Sequence, residues 1–407
     1  MPVVDPSGEH IVFFSFPGFG HLRPTLPVVR ELLSRGHEVS YVVAERFADD
    51  VAATGARVIT YPSSFPAVVP LIRTGDELAE VLVHYFEEGF AALPAAWREL
   101  ADRRIDVVVE DALSTAVSRL LAERAGCPVV RLFAGLAGND EVPLNGSEAD
   151  SEDAPELDPS HPKVVASYRS VLATLAEYGV DAAGMERIRT GGEVAANLVF
   201  VPRAFQPRPE CFGEDFVFVG PVGGPPVAPP DSARWAAPGA KGTVLLSLST
   251  SSDNGPEFFR SCGRAFEGTG WRVLMAIGGE VDPAVAADLP ENVEMHAWLD
   301  YGAVLPHVDV VVCQAGTGTL METFAHGVPV VTVPQQPDAV VLARHVQALG
   351  LGTALLGEVT GDDVRDAVFA VSTDGKIAAE VARMREAVLA SGGERLAADA
   401  LERVAAR

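Results

Sequence analysis

Apolar runs of strand length recur along the chain, with amphipathic stretches of helix length between them. In the first half the runs fall at residues 11–16, 38–44, 57–61, 106–110, 128–132, 197–201 and 216–219. In the second half they fall at 243–248, 272–277, 293–297, 309–313, 328–333 and 352–356. Continuous rather than alternating apolar runs predict strands buried on both faces, as in parallel sheets. Between them a helical period returns. Leu26, Val29, Leu32 and Leu33 share one face of a helix that runs to about Ser34, with Pro24 in its first turn and Gly36 as its stop. A longer helical pattern, 75–102, carries Leu78, Val81, Leu82, Tyr85, Phe86 and Phe90, and Pro94 breaks or kinks it. Strand alternating with helix predicts an α/β chain.

Residues 220–230, GPVGGPPVAPP, interrupt this pattern with proline and glycine and have no periodicity, which marks a linker. The expected division is an N-terminal domain over 1–219, a linker over 220–240 and a C-terminal domain over 241–390. Each domain reads as a Rossmann-like parallel sheet. A terminal helix within 391–407 has no strand after it and is left to pack across onto the first domain. Two such domains facing each other enclose a cleft lined by strand C-termini, the edge where open α/β sheets bind ligands. Residues 139–162 are rich in Glu, Asp, Pro and Ser and read as a mobile acidic surface loop.

Chemistry-bearing residues fall on that edge. His21 follows the first strand in the loop PGFGH. Asp111 ends the strand at 106–110, where it either caps the next helix or holds an imidazole. In the second half, VVVCQAGTGTLMETFAHGVPVVTVPQQPD reads as strand, Gly/Thr turn over 314–319, short helix over 320–325 closed by His326 and Gly327, then strand. The N–H groups at the start of such a helix attract phosphate, and glycine lets a diphosphate approach closely. The same edge carries Thr250, Trp298 and Asp338. Phe19, Phe65, Val68 and Phe86 are the candidates for an apolar acceptor wall. No GxGxxG turn follows the first strand, which argues against a nicotinamide dehydrogenase.

Composition narrows the partners. The 407 residues are 48% hydrophobic and 21% charged, which is globular and long enough for two cores. A net charge of −25 opposes binding to nucleic acid and to anionic membranes, though not to an anionic small ligand in a local nest of N–H groups. No apolar run reaches the roughly 18 residues of a membrane span, and the first residues lack the basic region of a signal peptide. The four cysteines are scattered, without CxxC or a Cys/His cluster, which points to buried thiols in a reducing cytoplasm rather than disulfides or zinc.

Taken in order, the GHLRP loop at 20–24, the Glu110-Asp111 strand end, NVEMHAW at 292–298 and the motif from Cys313 to Asp338 resemble the inverting glycosyltransferases of the GT-B fold. The resemblance is to the bacterial enzymes that glycosylate macrolides, enediynes and other antibiotic aglycones, and it covers nearly the whole chain. It implies His21 as general base and Asp111 as the carboxylate that orients it. It implies that Trp298 stacks on the donor base, with backbone bonds from Leu299. It gives Thr250, Gly316, Thr317, Gly318 and Thr319 to the diphosphate, Glu322 to the ribose and Asp338 to sugar hydroxyls. No metal and no other cofactor is implied, because N–H groups and the helix dipole neutralise the leaving group. The co-substrate is a nucleotide sugar; a homodimer or an activator protein is compatible with this reading.

Two positions depart from the family pattern. Gln314 stands where these enzymes usually have histidine; it donates an N–H but carries no charge. Ala339 follows Asp338, where glucose-using members often have glutamine; an apolar residue there suits a sugar that has lost hydroxyls. The expected donor is therefore a dTDP-deoxysugar rather than UDP-glucose. Gln314 also supports an alternative, a non-catalytic sugar-nucleotide-binding homologue acting through a partner, against which the intact His21 and Asp111 stand.

Overall fold

A computed structural model describes residues 8–66, 74–143, 158–181, 183–185, 188, 193–224, 229–248, 256–278 and 288–406. The first half forms a parallel sheet of seven strands: β1 (His10–Phe14), β2 (Glu38–Ala44), β3 (Arg57–Tyr61), β4 (Val107–Asp111), β5 (Val129–Phe133), β6 (Ala196–Val199) and β7 (Phe216–Phe218). Their order is β3-β2-β1-β4-β5-β6-β7. The second half forms a parallel sheet of six: β8 (Gly242–Ser247), β9 (Trp271–Ala276), β10 (Val293–His296), β11 (Val310–Cys313), β12 (Val330–Thr332) and β13 (Gly352–Ala354), ordered β10-β9-β8-β11-β12-β13. Apolar layers cover both faces of each sheet, which is why its strands read as unbroken runs.

Strand order reverses between β1 and β4 in one sheet and between β8 and β11 in the other. Such switch points open a crevice at the strand C-termini because the flanking helices diverge to opposite faces. His21 follows β1 and Asp111 ends β4, while Gln314 follows β11.

The long helical pattern resolves into two helices, Gly75–Ala91 and Leu93–Leu100, with Pro94 in the first turn of the second. Thr74 and Glu77 form a reciprocal capping box at the start of the first. Residues 144–157 of the acidic segment and 225–228 of the linker lie outside the described residues.

The last helix, Gly393–Ala405, buries Ala397, Ala398, Leu401 and Val404 among Ile11, Phe13, Val28 and Leu32 of the first half. Arg35 bonds Asp399 and Glu402 at 2.6 and 2.9 Å, and His37 bonds Glu402 at 2.9 Å, which fixes its register. Leu401 is fully buried. Leu401→Ala is expected to destabilise the N-terminal half by about 2–5 kcal/mol through lost transfer energy and a residual cavity. A denaturant titration with a lowered midpoint and unchanged slope would show it; an unchanged midpoint would mean the helix is not part of that core.

Candidate active site

His21 lies on a single helical turn, Phe19–Leu22, rather than on an open loop. Its Nδ1 is 2.8 Å from Asp111 Oδ2. β1 and β4 are hydrogen-bonded neighbours, with Phe14 opposite Glu110, so the segments leaving their ends meet. The Asp111 carboxylate is buried, while the imidazole remains 28% exposed towards the cleft. Asp111 does not cap the next helix, which starts at Ala116 with Thr115 as its N-cap: its Oδ1 accepts from the Leu113 backbone N–H at 2.9 Å in the turn before that helix, and its Oδ2 faces the imidazole. A carboxylate fixed by a backbone donor holds the ring in the tautomer with the proton on Nδ1, which makes Nε2 the basic nitrogen. Glu110 is no competitor for this role. It is fully buried and is satisfied by Arg119 at 2.8 Å, Arg131 at 3.0 Å and Ser118 at 3.1 Å.

Aromatic rings build the wall beside His21. Phe16 meets the imidazole edge-on at 5.2 Å, stacks on Tyr85 at 5.4 Å and packs against Phe65 at 4.8 Å. Phe16 and Tyr85 were not candidates from the sequence, although Phe16 ends the first apolar run and Tyr85 precedes Phe86. Phe65 therefore belongs with the imidazole. Phe86 instead packs on Phe90 and Tyr168, away from this cluster. Phe19 is half exposed on the His21 turn, and Val68 lies outside the described residues. Arg46 ties the wall together by donating to the carbonyls of Phe65 and Pro17 at 2.9 and 2.5 Å.

On the other side, the helix after β11 spans Thr317–His326, starting earlier than the 320–325 expected. Thr317, Gly318 and Thr319 are thus its first turn, and the connecting turn is only Gln314, Ala315 and Gly316. The reason is Gly316, which serves as N-cap, and Ala315, which takes the left-handed conformation (φ 73°) that normally favours glycine. Fully buried, Ala315 is held there by its surroundings. No side chain caps this helix, so its first N–H groups keep their donor capacity for the cleft. Gly327, at φ 75°, closes the other end.

Tyr301 supports this turn. Its hydroxyl bonds Ser247 at 2.7 Å at the end of β8 and also reaches the Thr319 side chain. One turn along the same face, burial pushes the Glu322 carboxyl above its ordinary range, with Arg23 opposing and Asp300 adding to the rise. Trp298 is 67% exposed and lines an open cavity of about 470 Å³ together with Trp235, His296 and the buried Leu299. Asp338 is the second residue of the helix Pro337–Ala348, and Ala339 beside it is buried. Thr250 lies outside the described residues.

The two halves meet here. A Cβ on Gly135, just after β5, would come within 2.9 Å of Thr317 Oγ1. Glycine is therefore what lets the edge of the seven-stranded sheet approach the first residue of the helix. The turn that holds His21 approaches the helix Thr317–His326 through Arg23, whose Nη1 is 3.8 Å from Glu322 Oε2. An imidazole paired with a buried carboxylate on one wall and helix N–H donors on the other are groups that can move a proton and meet an anion.

Residues 272–402 match the family model described as erythromycin biosynthesis protein CIII-like, C-terminal domain. The chain is 34% identical to the demethyllactenocin mycarosyltransferase of Streptomyces fradiae, over 97% of this chain and 86% of that one. It is also 34% identical to the oleandomycin glycosyltransferase of Streptomyces antibioticus, over 97% of this chain and 90% of that one. Among solved structures it is similar to a calicheamicin glycosyltransferase, with 37% identity, a TM-score of 0.82, and coverage of 98% of this chain and 99% of that one. With its two facing parallel-sheet domains, the chain belongs to the GT-B glycosyltransferases of antibiotic biosynthesis.

Proposed function

We propose that this enzyme transfers a sugar from a nucleoside diphosphate donor, a dTDP-deoxysugar in preference to UDP-glucose, to a hydroxyl of a hydrophobic natural-product aglycone with inversion at the anomeric carbon. The carrying observation is the 2.8 Å contact between His21 and the buried Asp111 at the cleft edge. His21 Nε2 takes the proton of the acceptor hydroxyl as its oxygen bonds the anomeric carbon. The bond from that carbon to the diphosphate oxygen breaks, and the nucleoside diphosphate leaves with the electron pair. Attack opposite the leaving group inverts the centre. Asp111 stabilises the imidazolium, and the first-turn N–H groups of the helix Thr317–His326 meet the charge that develops on the leaving group. The aromatic wall of Phe16, Phe65 and Tyr85 suits an apolar acceptor. By name, the relatives glycosylate demethyllactenocin, oleandomycin and calicheamicin.

The donor preference rests on Ala339, a buried apolar residue at the position where glucose-using members of the family often carry glutamine. In a competition between equal concentrations of a dTDP-deoxysugar and UDP-glucose, the deoxysugar product is expected to dominate by about tenfold or more. Chromatography of the glycosides reads the ratio; a clear excess of glucoside would overturn the donor assignment.

A further inference from the structure

The turn expected to hold the diphosphate, Gln314 to Thr319, carries no charged residue, and the chain bears a net −25. A cation stands opposite, on the other wall. Arg23 directly follows the helical turn that holds His21, and its Nη1 lies 3.8 Å from Glu322 Oε2 across the cleft. That distance is attraction without a hydrogen bond, so Glu322 does not consume the guanidinium's donors. The Arg23 side chain is 61% exposed, and an ion pair so wet adds little to stability.

Thr319 and Glu322 are three residues apart on one helix and share a face. A donor seated along that face places its diphosphate beside the Glu322 carboxylate. Two anions then adjoin in a half-buried site, and the nearest N–H groups are neutral. The contact between Gly135 and Thr317 shows how narrow the cleft is at the first turn of this helix. A long, flexible guanidinium anchored beside His21 spans the short distance from Glu322 to the phosphates.

We propose that Arg23 is a donor-binding residue contributed by the acceptor-side domain: it pairs with Glu322 in the empty cleft and engages the diphosphate in the loaded one. It supplies there the positive charge that Gln314 lacks. Because Arg23 and His21 lie on one short segment, capture of the diphosphate also draws the base towards the anomeric carbon. The inference rests on the donor site proposed above.

Calorimetric titrations with dTDP and with thymidine separate the two ideas, using the native protein, Arg23→Met and Arg23→Lys at low and moderate salt. Arg23→Met is expected to weaken dTDP binding about tenfold, to leave thymidine binding unchanged and to flatten the salt dependence of dTDP affinity. Arg23→Lys recovers most of the loss. If Arg23→Met binds dTDP as the native protein does, the role of Arg23 is overturned and the donor site stands. If Arg23→Met changes thymidine and dTDP affinity equally, Arg23 only latches Glu322 and the proposal fails. If the native protein binds neither dTDP nor thymidine, the donor site itself fails and the proposal with it.

Discussion

Replacing His21 by alanine is expected to lower turnover by about a hundredfold to ten-thousandfold, the usual contribution of a positioned general base. Donor affinity should change by less than about twofold, a few tenths of a kcal/mol. The two effects separate because the imidazole touches the opposite wall from the helix Thr317–His326. The variant should also fold, since His21 is partly exposed on a one-turn helix and the carboxylate it leaves keeps its bond to the Leu113 N–H. Steady-state turnover together with dTDP titration checks both halves of this expectation.

Asp111→Asn is the second large effect, and the geometry sets its direction. The two oxygens of Asp111 face different groups: Oδ1 accepts from the Leu113 N–H, and Oδ2 faces His21 Nδ1. In the new amide the oxygen is drawn to the Leu113 donor, because the NH₂ cannot accept from it. The NH₂ then points at Nδ1 and selects the tautomer with the proton on Nε2, the wrong nitrogen for accepting the acceptor's proton. Loss of the negative charge also removes stabilisation of the imidazolium. A loss of about a hundredfold or more in turnover is expected, with dTDP affinity unchanged. Nitrogen-15 NMR of the imidazole reads the tautomer directly. A variant that keeps the Nδ1 proton and full activity would show that Asp111 acts only as a turn cap.

Much of this fold was legible because burial on both faces writes itself as unbroken apolar runs. β2 and β3 lie at residues 38–44 and 57–61, as the apolar pattern predicts. Pro94 divides two helices because its ring and missing N–H are incompatible with a continuous one. Helix starts were harder. Gly and Thr in 316–319 look like a turn, yet three of these residues begin the helix, because the buried turn forces Ala315 into the left-handed region. No propensity rule assigns that conformation to alanine.

The candidate site was legible where residues follow strands and illegible where they meet through space. His21 and Asp111 could be placed on one edge, but their 2.8 Å contact depends on β1 and β4 being neighbours despite the two strands between them in the chain. Phe16, Tyr85 and Phe65 cluster from three separate segments, and Phe86, adjacent in sequence to Tyr85, points elsewhere. Gly135 gave no signal at all, because its significance is the space it leaves for Thr317 across the cleft. Arg23 sits in the GHLRP motif, and its 3.8 Å approach to Glu322 joins residues far apart in the chain.

The most direct measurement is a single-turnover experiment on His21→Ala with enzyme in excess over donor and an accepted aglycone saturating, run beside a titration with the donor. With His21 as the base, the donor dissociation constant stays within about twofold of the native protein and the transfer rate falls by about a hundredfold or more. Transfer at the native rate would contradict that role, because no proton acceptor at this cleft edge would then be needed.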